Sequence, residues 1–503
     1  MIQIPQIPLK SDTVVAVAQQ KQKTILAKKN YAPIISAYKF VNKLKDQNKP
    51  VYGVTTGFGA LAGVILSQNK LKQLQTNLIY SHAVGSGKPL DKDIVRAAMF
   101  LRANMLAKAH SGVRIDLINT LLAMLNKDIV PLVPETGSVG ASGDLSPLAF
   151  IARTLLGLGQ VYFQNRTMKS IDALKKANIK PIALEPKEGL ALINGTEMMT
   201  ANGALLINKS EFLTDVADVA SVLSVVSMQG KTEPFDMRII ELKPHAGQIT
   251  VNKNLAKLLA GYQTTGKKVQ DAYSIRCIPQ VAGAVREGIN FAKNIIDIEM
   301  NSITDNPIII YDSKTKRHQI ISGGNFHGQS ISLAFDTLGI SLVTMGLISE
   351  RRIFRILDDK LSGLPPFLVK EAGVNSGLMM LQVLASALCA ENRILASPAS
   401  IQSLPTSASQ EDFVSMGMTG ANKTKKICDN TITILTIELI CARQAIELAE
   451  YPVPQGIKNI YHEIVKTVPF ITDDRLYQED IENVKALLDN PDFRKQVLNA
   501  CKA

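Results

Sequence analysis

The chain has 503 residues, 46% of them hydrophobic and 20% charged, with a net charge of +12. That length is ample for large buried cores. The lysines are dispersed and not interleaved with aromatic residues, which favours a solvated surface with a mild attraction for anionic ligands and argues against a nucleic-acid interface. Aromatic residues make up only 5% and tryptophan is absent, so the apolar mass is aliphatic and suits helix-on-helix packing. The longest apolar runs, 338–348 and 378–390, carry polar interruptions and fall short of the roughly 20 residues that cross a bilayer, so no membrane partner is expected. The N-terminus lacks the charged, apolar, small-residue order of a signal peptide. Cys277, Cys389, Cys428, Cys441 and Cys501 are scattered and odd in number, which points to free thiols in a reducing, cytoplasmic setting.

In chain order, residues 1–30 read as a strand or extended arm followed by a helix. Lys49-Pro50-Val51-Tyr52-Gly53-Val54-Thr55-Thr56-Gly57-Phe58-Gly59 is a Gly-rich loop. Its spacing is not that of a phosphate cradle, which leaves a mobile loop carrying a reactive tyrosine as the other reading. Positions 71, 74, 78 and 79 keep helical spacing. A helix is predicted over 91–109, with Asp91 as N-cap and Gly112 beyond its end, and a second over 113–125. A further helix over 145–156 tolerates Pro147 in its first turn. Residues 160–187 read as a short hairpin or irregular excursion. Thereafter helices dominate, at about 188–229, 276–300, 328–360, 376–396 and 428–450, with shorter ones at about 455–467, 478–489 and 491–501. Long helices with wide apolar faces predict a mainly α bundle.

Between these helices lies Thr136-Gly137-Ser138-Val139-Gly140-Ala141-Ser142-Gly143-Asp144-Leu145, too rich in glycine for a helix or strand. Ala-Ser-Gly alone is ordinary loop material, but held in a tight bend it can react with itself. The Gly143 nitrogen attacks the Ala141 carbonyl and water leaves. Loss of a second water converts Ser142 to a dehydroalanine-like methylidene. Gly143 has no side chain to block the attack, Ala141 is small beside the carbonyl, and Ser142 carries the departing hydroxyl. The product, 4-methylidene-imidazol-5-one (MIO), is an electrophile made from the backbone.

Six further polar segments accompany it in order: the 51–59 loop, Ser81-His82-Ala83-Val84-Gly85, Ile193-Asn194-Gly195-Thr196, Gln270-Asp271-Ala272-Tyr273-Ser274-Ile275-Arg276-Cys277, Gly323-Gly324-Asn325-Phe326-His327-Gly328 and Ser409-Gln410-Glu411-Asp412. With the Gly-Ser-Val-Gly-Ala-Ser-Gly-Asp-Leu match, they make the chain resemble the MIO-dependent aromatic amino acid lyases from about residue 50 to about residue 420. Within that family the histidine-type lyases are the most similar. The resemblance implies a helical bundle of the ammonia-lyase and fumarase-like type, with a smaller mixed N-terminal region that carries active-site loops. It also implies an MIO cofactor from Ala141, Ser142 and Gly143 with no external cofactor, and a homotetramer whose active sites draw residues from several subunits.

The implied reaction is the non-oxidative loss of ammonia from an L-amino acid, here L-histidine to trans-urocanate, the first step of histidine breakdown. Tyr52 matches the loop tyrosine and is the candidate base; near its ordinary pKa of about 10 its phenolate needs stabilising neighbours. Asn194 would hold the MIO carbonyl oxygen or the substrate, and Arg276 would grip the substrate carboxylate bidentately. Tyr273 and Gln270 would complete hydrogen bonds around the ring and the amino group, while Phe326 packs nearby. His82 and Glu411 would read the imidazole, because a carboxylate beside a phenyl ring would be an uncompensated desolvated charge. A tyrosine or phenylalanine lyase, or an aminomutase, is the alternative within the family. A catalytically silent helical scaffold is the alternative outside it, though Ser142, Tyr52 and Arg276 are all present. Glu197, Ser409 and Phe413 depart from the common pattern, where Gln, Asn and His are usual. His110, His245, His318, His327 and His462 show no paired ligand spacing, so no metal is assigned. The expected division is 1–112, with the Tyr52 loop, and an elongated helical domain 113–503, with the Ala-Ser-Gly loop.

Overall fold

A computed structural model of the protein describes residues 1–44, 50–266 and 268–501; Lys49, where the Gly-rich loop begins, lies outside them. Twenty α-helices and nine short strands follow one another along the described residues, so the mainly α expectation holds. The chain forms two compact units. The first comprises Met1–Asn208, Ala292–Asp336 and Pro398–Asn422, and the second Lys209–Phe291, Thr337–Ser397 and Lys423–Ala503. This division does not fall at residue 112, because the Lys92–Leu106 helix packs on both the Ser11–Ala18 and the Ile115–Asn126 helices.

In the first unit the Lys92–Leu106 helix is the central post, buried without interruption from Ile94 to Leu106. A helix buried on all sides must give its polar side chains partners. Arg96 accordingly donates to the carbonyls of Val17, Ala18 and Leu125 and meets Asp128 at 2.7 Å. Ile2–Ile4 pairs in parallel with Thr24–Leu26, as the N-terminal arm predicts. Gln160–Phe163 and Arg166–Lys169 form the expected hairpin. Ser86–Pro89 pairs with Pro134–Thr136, which sets the segment after His82 beside the Ala-Ser-Gly loop.

Several elements differ from expectation. The helix predicted over 188–229 is broken: Glu188–Ile193 stops, the chain bends at Asn194 and Thr196 on either side of Gly195, and Glu197–Ser227 resumes. Gly195, at φ +146°, breaks the helix with a conformation that L side chains rarely adopt. The helix predicted from 428 begins at Gly417. An antiparallel pair, Ile308–Asp312 with Arg317–Ile321, stands where no strand is predicted. Its signal was a β-branched run ended by an Asx turn, in which Asp312 accepts from Lys314 N and Thr315 Oγ1. The Gln329–Leu357 helix is long and apolar enough to cross a membrane, which the shorter 338–348 run does not suggest, but 67% of its most apolar stretch is buried within the protein.

The second unit is built from helices. Its core polar feature is Glu438, fully buried. Its Oε1 accepts from Arg352 Nε at 2.5 Å and Ser224 Oγ at 2.6 Å, and its Oε2 from Arg352 Nη2 at 2.9 Å and Ser349 Oγ at 2.6 Å. Every oxygen of the carboxylate is satisfied, which is the condition for burying a charge.

Candidate active site

The Ala-Ser-Gly loop is held by the break in the helix. Gly195 N donates to Ser142 O at 3.2 Å, and Asp144 N donates to Gly195 O at 2.7 Å. Ser142 adopts φ +51° and Gly143 φ +79°. For serine this left-handed conformation costs on the order of 1 kcal/mol, so the loop needs external bracing. A Cβ on Gly143 would collide with the Gly195 carbonyl, so position 143 admits glycine alone. Side-chain-free nitrogen at 143 and a sharply bent Ser142 are what ring closure requires.

Beside this loop the Leu71–His82 helix ends at His82. His82 Nδ1 lies 2.9 Å from the Leu78 carbonyl and 2.9 Å from Ser81 Oγ. A carbonyl can only accept, so Nδ1 carries the proton and Nε2 is left with its lone pair. Ser146 Oγ donates to Val84 O and ties the two loops together. Between them lies a cavity of about 470 Å³, lined by His82, Val84, Gly137, Ala141, Leu145 and Ser146.

Tyr52 and Glu411 belong to the same unit. The Tyr52 hydroxyl accepts from Gly59 N at 3.2 Å, and its ring stands edge-on to Phe58 at 6.3 Å. Burial pushes the Tyr52 phenol above its ordinary value; the Gly59 amide opposes this and the Glu411 charge adds to it. Burial lowers the His82 pKa, while its bond to Leu78 O and the Glu411 charge oppose the shift. One carboxylate therefore acts on both groups. Glu411 is set by a tight turn: Thr406 N donates to Glu411 O at 2.9 Å, Thr406 Oγ1 to Glu411 Oε2 at 3.1 Å, and Ser407, Ala408 and Ser409 all have positive φ. A Cβ on Gly59 would stand 2.8 Å from Ser407 Oγ, so the Tyr52 and Glu411 loops touch.

Asn194 is 2% exposed. Its Nδ2 donates to Asn306 O at 2.9 Å, which turns Oδ1 the other way, and that oxygen is buried with no partner. An unsatisfied buried acceptor calls for a donor, which fits a group bound at this loop. Phe326 is half-buried, and the adjacent His327 stacks on Phe413 at 6.1 Å. Glu197 is buried against Arg102 at 2.6 Å and does not line the cavity, so it cannot touch a substrate there.

Gln270, Tyr273 and Arg276 belong to the second unit. Asp271 accepts from Lys231 N at 2.7 Å and fixes the start of their loop, and Arg276 N donates to Ala272 O at 2.9 Å. Tyr273 is 70% exposed, with the Arg276 guanidinium 4.7 Å from its ring centre. Arg276 Nε is buried without a partner, an open donor on a group suited to carboxylates.

Sequence reasoning missed Arg102 and Thr304. The signal for Arg102 was an arginine flanked on both sides by apolar residues within a helix. Nothing marked Thr304.

The aromatic amino acid lyase family model matches residues 9–466. A histidine ammonia-lyase of Alkaliphilus oremlandii is 46% identical over 455 residues, covering 90% of this chain and 89% of its own. That of Stigmatella aurantiaca is 42% identical over 500 residues, covering 98% and 97%. Among solved structures, histidine ammonia-lyase from Trypanosoma cruzi superposes with a TM-score of 0.91 at 36% identity, over 99% of this chain and 95% of that one. Tyrosine aminomutase from Streptomyces globisporus does so with a TM-score of 0.91 at 35% identity, over 98% and 97%. The chain belongs to the aromatic amino acid lyase family. Its chemistry is that of a carbon–nitrogen lyase.

Proposed function

We propose that this enzyme deaminates L-histidine to trans-urocanate and ammonia, the entry step of histidine breakdown, at a site built on an MIO ring from Ala141, Ser142 and Gly143. The observation that carries the substrate assignment is that the Glu411 loop touches the Tyr52 loop, and the Glu411 carboxylate acts electrostatically on both Tyr52 and the cavity-lining His82. A carboxylate there pairs well with an imidazole and poorly with a phenyl ring. The histidine ammonia-lyase relatives, matched over nearly their whole length, support the same substrate.

Ring closure balances as two waters. The Gly143 N–H hydrogen leaves with the Ala141 carbonyl oxygen and a second proton, and the Ser142 hydroxyl leaves with the Ser142 Hα. Once formed, the ring supplies an electrophilic carbon that makes the substrate amine a better leaving group. The chain's own residues do the rest. Tyr52 takes the β-proton, its phenolate stabilised by the Gly59 N–H. Asn194 Oδ1 accepts from the bound group. His82 Nε2 accepts an N–H, Glu411 pairs with the imidazole, and Phe326 packs alongside. Arg276 holds the carboxylate through its open donors, and Gln270 and Tyr273 complete the hydrogen bonds.

A homotetramer with shared active sites is part of the proposal. It is supported by the exposure of Tyr273, Met380, Ile394 and Ile401, large side chains that another subunit would cover. The five free cysteines support a cytoplasmic setting. The test offers L-histidine, L-tyrosine and L-phenylalanine side by side and follows product absorbance. Urocanate from histidine at the highest kcat/KM is expected. Faster turnover of tyrosine, or a β-amino acid product as from an aminomutase, overturns the histidine assignment.

A further inference from the structure

Behind the ring-forming loop lies a buried ion pair that lines no part of the cavity beside that loop. Arg102 is 1% exposed and Glu197 is 4% exposed. Arg102 Nη1 and Nη2 both donate to the Asn194 backbone carbonyl, at 3.0 and 3.1 Å, and Nη2 stands 2.6 Å from Glu197 Oε2. Glu197 Oε1 in turn accepts from Thr304 Oγ1 at 2.8 Å. These groups close directly on the next residue. A Cβ on Gly195 would lie 2.6 Å from Glu197 Oε2, 2.6 Å from Thr304 Oγ1 and 2.7 Å from Arg102 Nη2. Gly195 then brackets Gly143, through its N–H to the Ser142 carbonyl on one side and its carbonyl to the Asp144 N–H on the other. Every link from Thr304 to Ser142 is within bonding distance.

We propose that Arg102 and Glu197 are positioning residues for ring closure: by clamping the Asn194–Gly195 backbone they hold Ser142 and Gly143 in the bend from which the Gly143 nitrogen reaches the Ala141 carbonyl. The proposal rests on the MIO reading above. The clamp needs a planar guanidinium, because two donors must meet one carbonyl while one of them also faces a carboxylate; an ammonium is a point charge and does this poorly. Ring closure gains most from fixed geometry, so a loosened clamp shows as slow maturation. The pair touches no substrate, so sites that have matured bind normally.

The experiment uses Arg102→Lys, which keeps the buried charge balance. Native and variant full-length chains are made in a cell-free reaction and sampled over time by intact mass. The native chain loses two waters, about 36 Da; if it does not, the MIO reading fails and the clamp is not what failed. With native loss established, Arg102→Lys is expected to lose the two waters at least about tenfold more slowly. Its matured fraction should show a KM for histidine within about twofold of native and the same melting temperature. Native maturation kinetics in a folded Arg102→Lys chain overturn the proposal, as does a KM change with maturation untouched. If Arg102→Lys does not fold, Thr304→Val, which releases Glu197 Oε1, decides in the same way: slowed loss of water supports the clamp and native kinetics overturn it.

Discussion

Tyr52 shows what a single residue has to overcome. The general-base role proposed for it needs a free lone pair, yet burial holds this phenol above its ordinary value and Glu411 pushes in the same direction. The Gly59 N–H is the counterweight. An imidazole seated against Glu411 would offset its charge, so the occupied site favours the phenolate more than the empty one. Turnover is therefore expected to rise with pH above neutrality as the phenolate becomes populated, measured as kcat against pH. Tyr52→Phe should lower kcat by about 10²- to 10⁴-fold while the chain still loses two waters, since the hydroxyl takes no part in ring closure. Intact mass and activity on one sample separate the two effects. Glu411→Gln keeps the shape but removes the charge. It should lower kcat/KM for histidine by roughly 10- to 100-fold, the worth of a charged hydrogen bond, and leave turnover of phenylalanine no worse. An equal loss on both substrates contradicts the imidazole-reading role.

At the scale of elements, the broken helix at Asn194-Gly195-Thr196 is the decisive feature, because it gives the Ala-Ser-Gly loop a backbone partner. Asp144 sits at that junction, fully buried, and burial raises its carboxyl to about 7; the Met199 N–H at 2.8 Å and the Arg102 charge oppose the shift, and Glu197 adds to it. The unfolded chain would titrate this group near 3.9. Its stabilising contribution is thus full below that value and is lost as pH rises through about 7, because the unfolded state ionises first. Asp144→Asn keeps an acceptor for Met199 and removes the titration. Its melting temperature should fall less between about pH 5 and pH 7.5 than that of the native chain, by scanning calorimetry. An unchanged slope contradicts this.

The same elements show what was legible beforehand. The Lys92–Leu106 helix was readable because its apolar periodicity is local. The glycine-rich run around Gly143 was readable as a loop, and the motif order disclosed the family. The break at 194–196 was hidden within an apolar run, because it is enforced by Arg102 and Thr304, distant in sequence. Glu197 stood out only as a departure from the common pattern; its burial against Arg102 places it behind the loop. The 308–321 strands went unread beside stronger helical signals.

At the scale of the molecule, the chain divides its work. The first unit holds the Ala-Ser-Gly loop, Tyr52, His82, Asn194, Phe326 and Glu411, and the second holds Gln270, Tyr273 and Arg276. The second unit's stability rests in part on the satisfied Glu438 carboxylate. Arg352→Ala would leave that charge buried and unpaired, and is expected to destabilise the protein by about 3–5 kcal/mol in denaturant titration. A change below about 1 kcal/mol would show that Ser224 and Ser349 suffice.

The proposed chemistry depends on the backbone at 141–143 becoming an electrophile, and the intact mass of the purified chain measures that directly. The account predicts a native mass lower than the sequence mass by two waters, about 36 Da, and a Ser142→Ala chain that stays at its own sequence mass and has lost nearly all activity. A native chain at its full sequence mass that still released ammonia from histidine would contradict it.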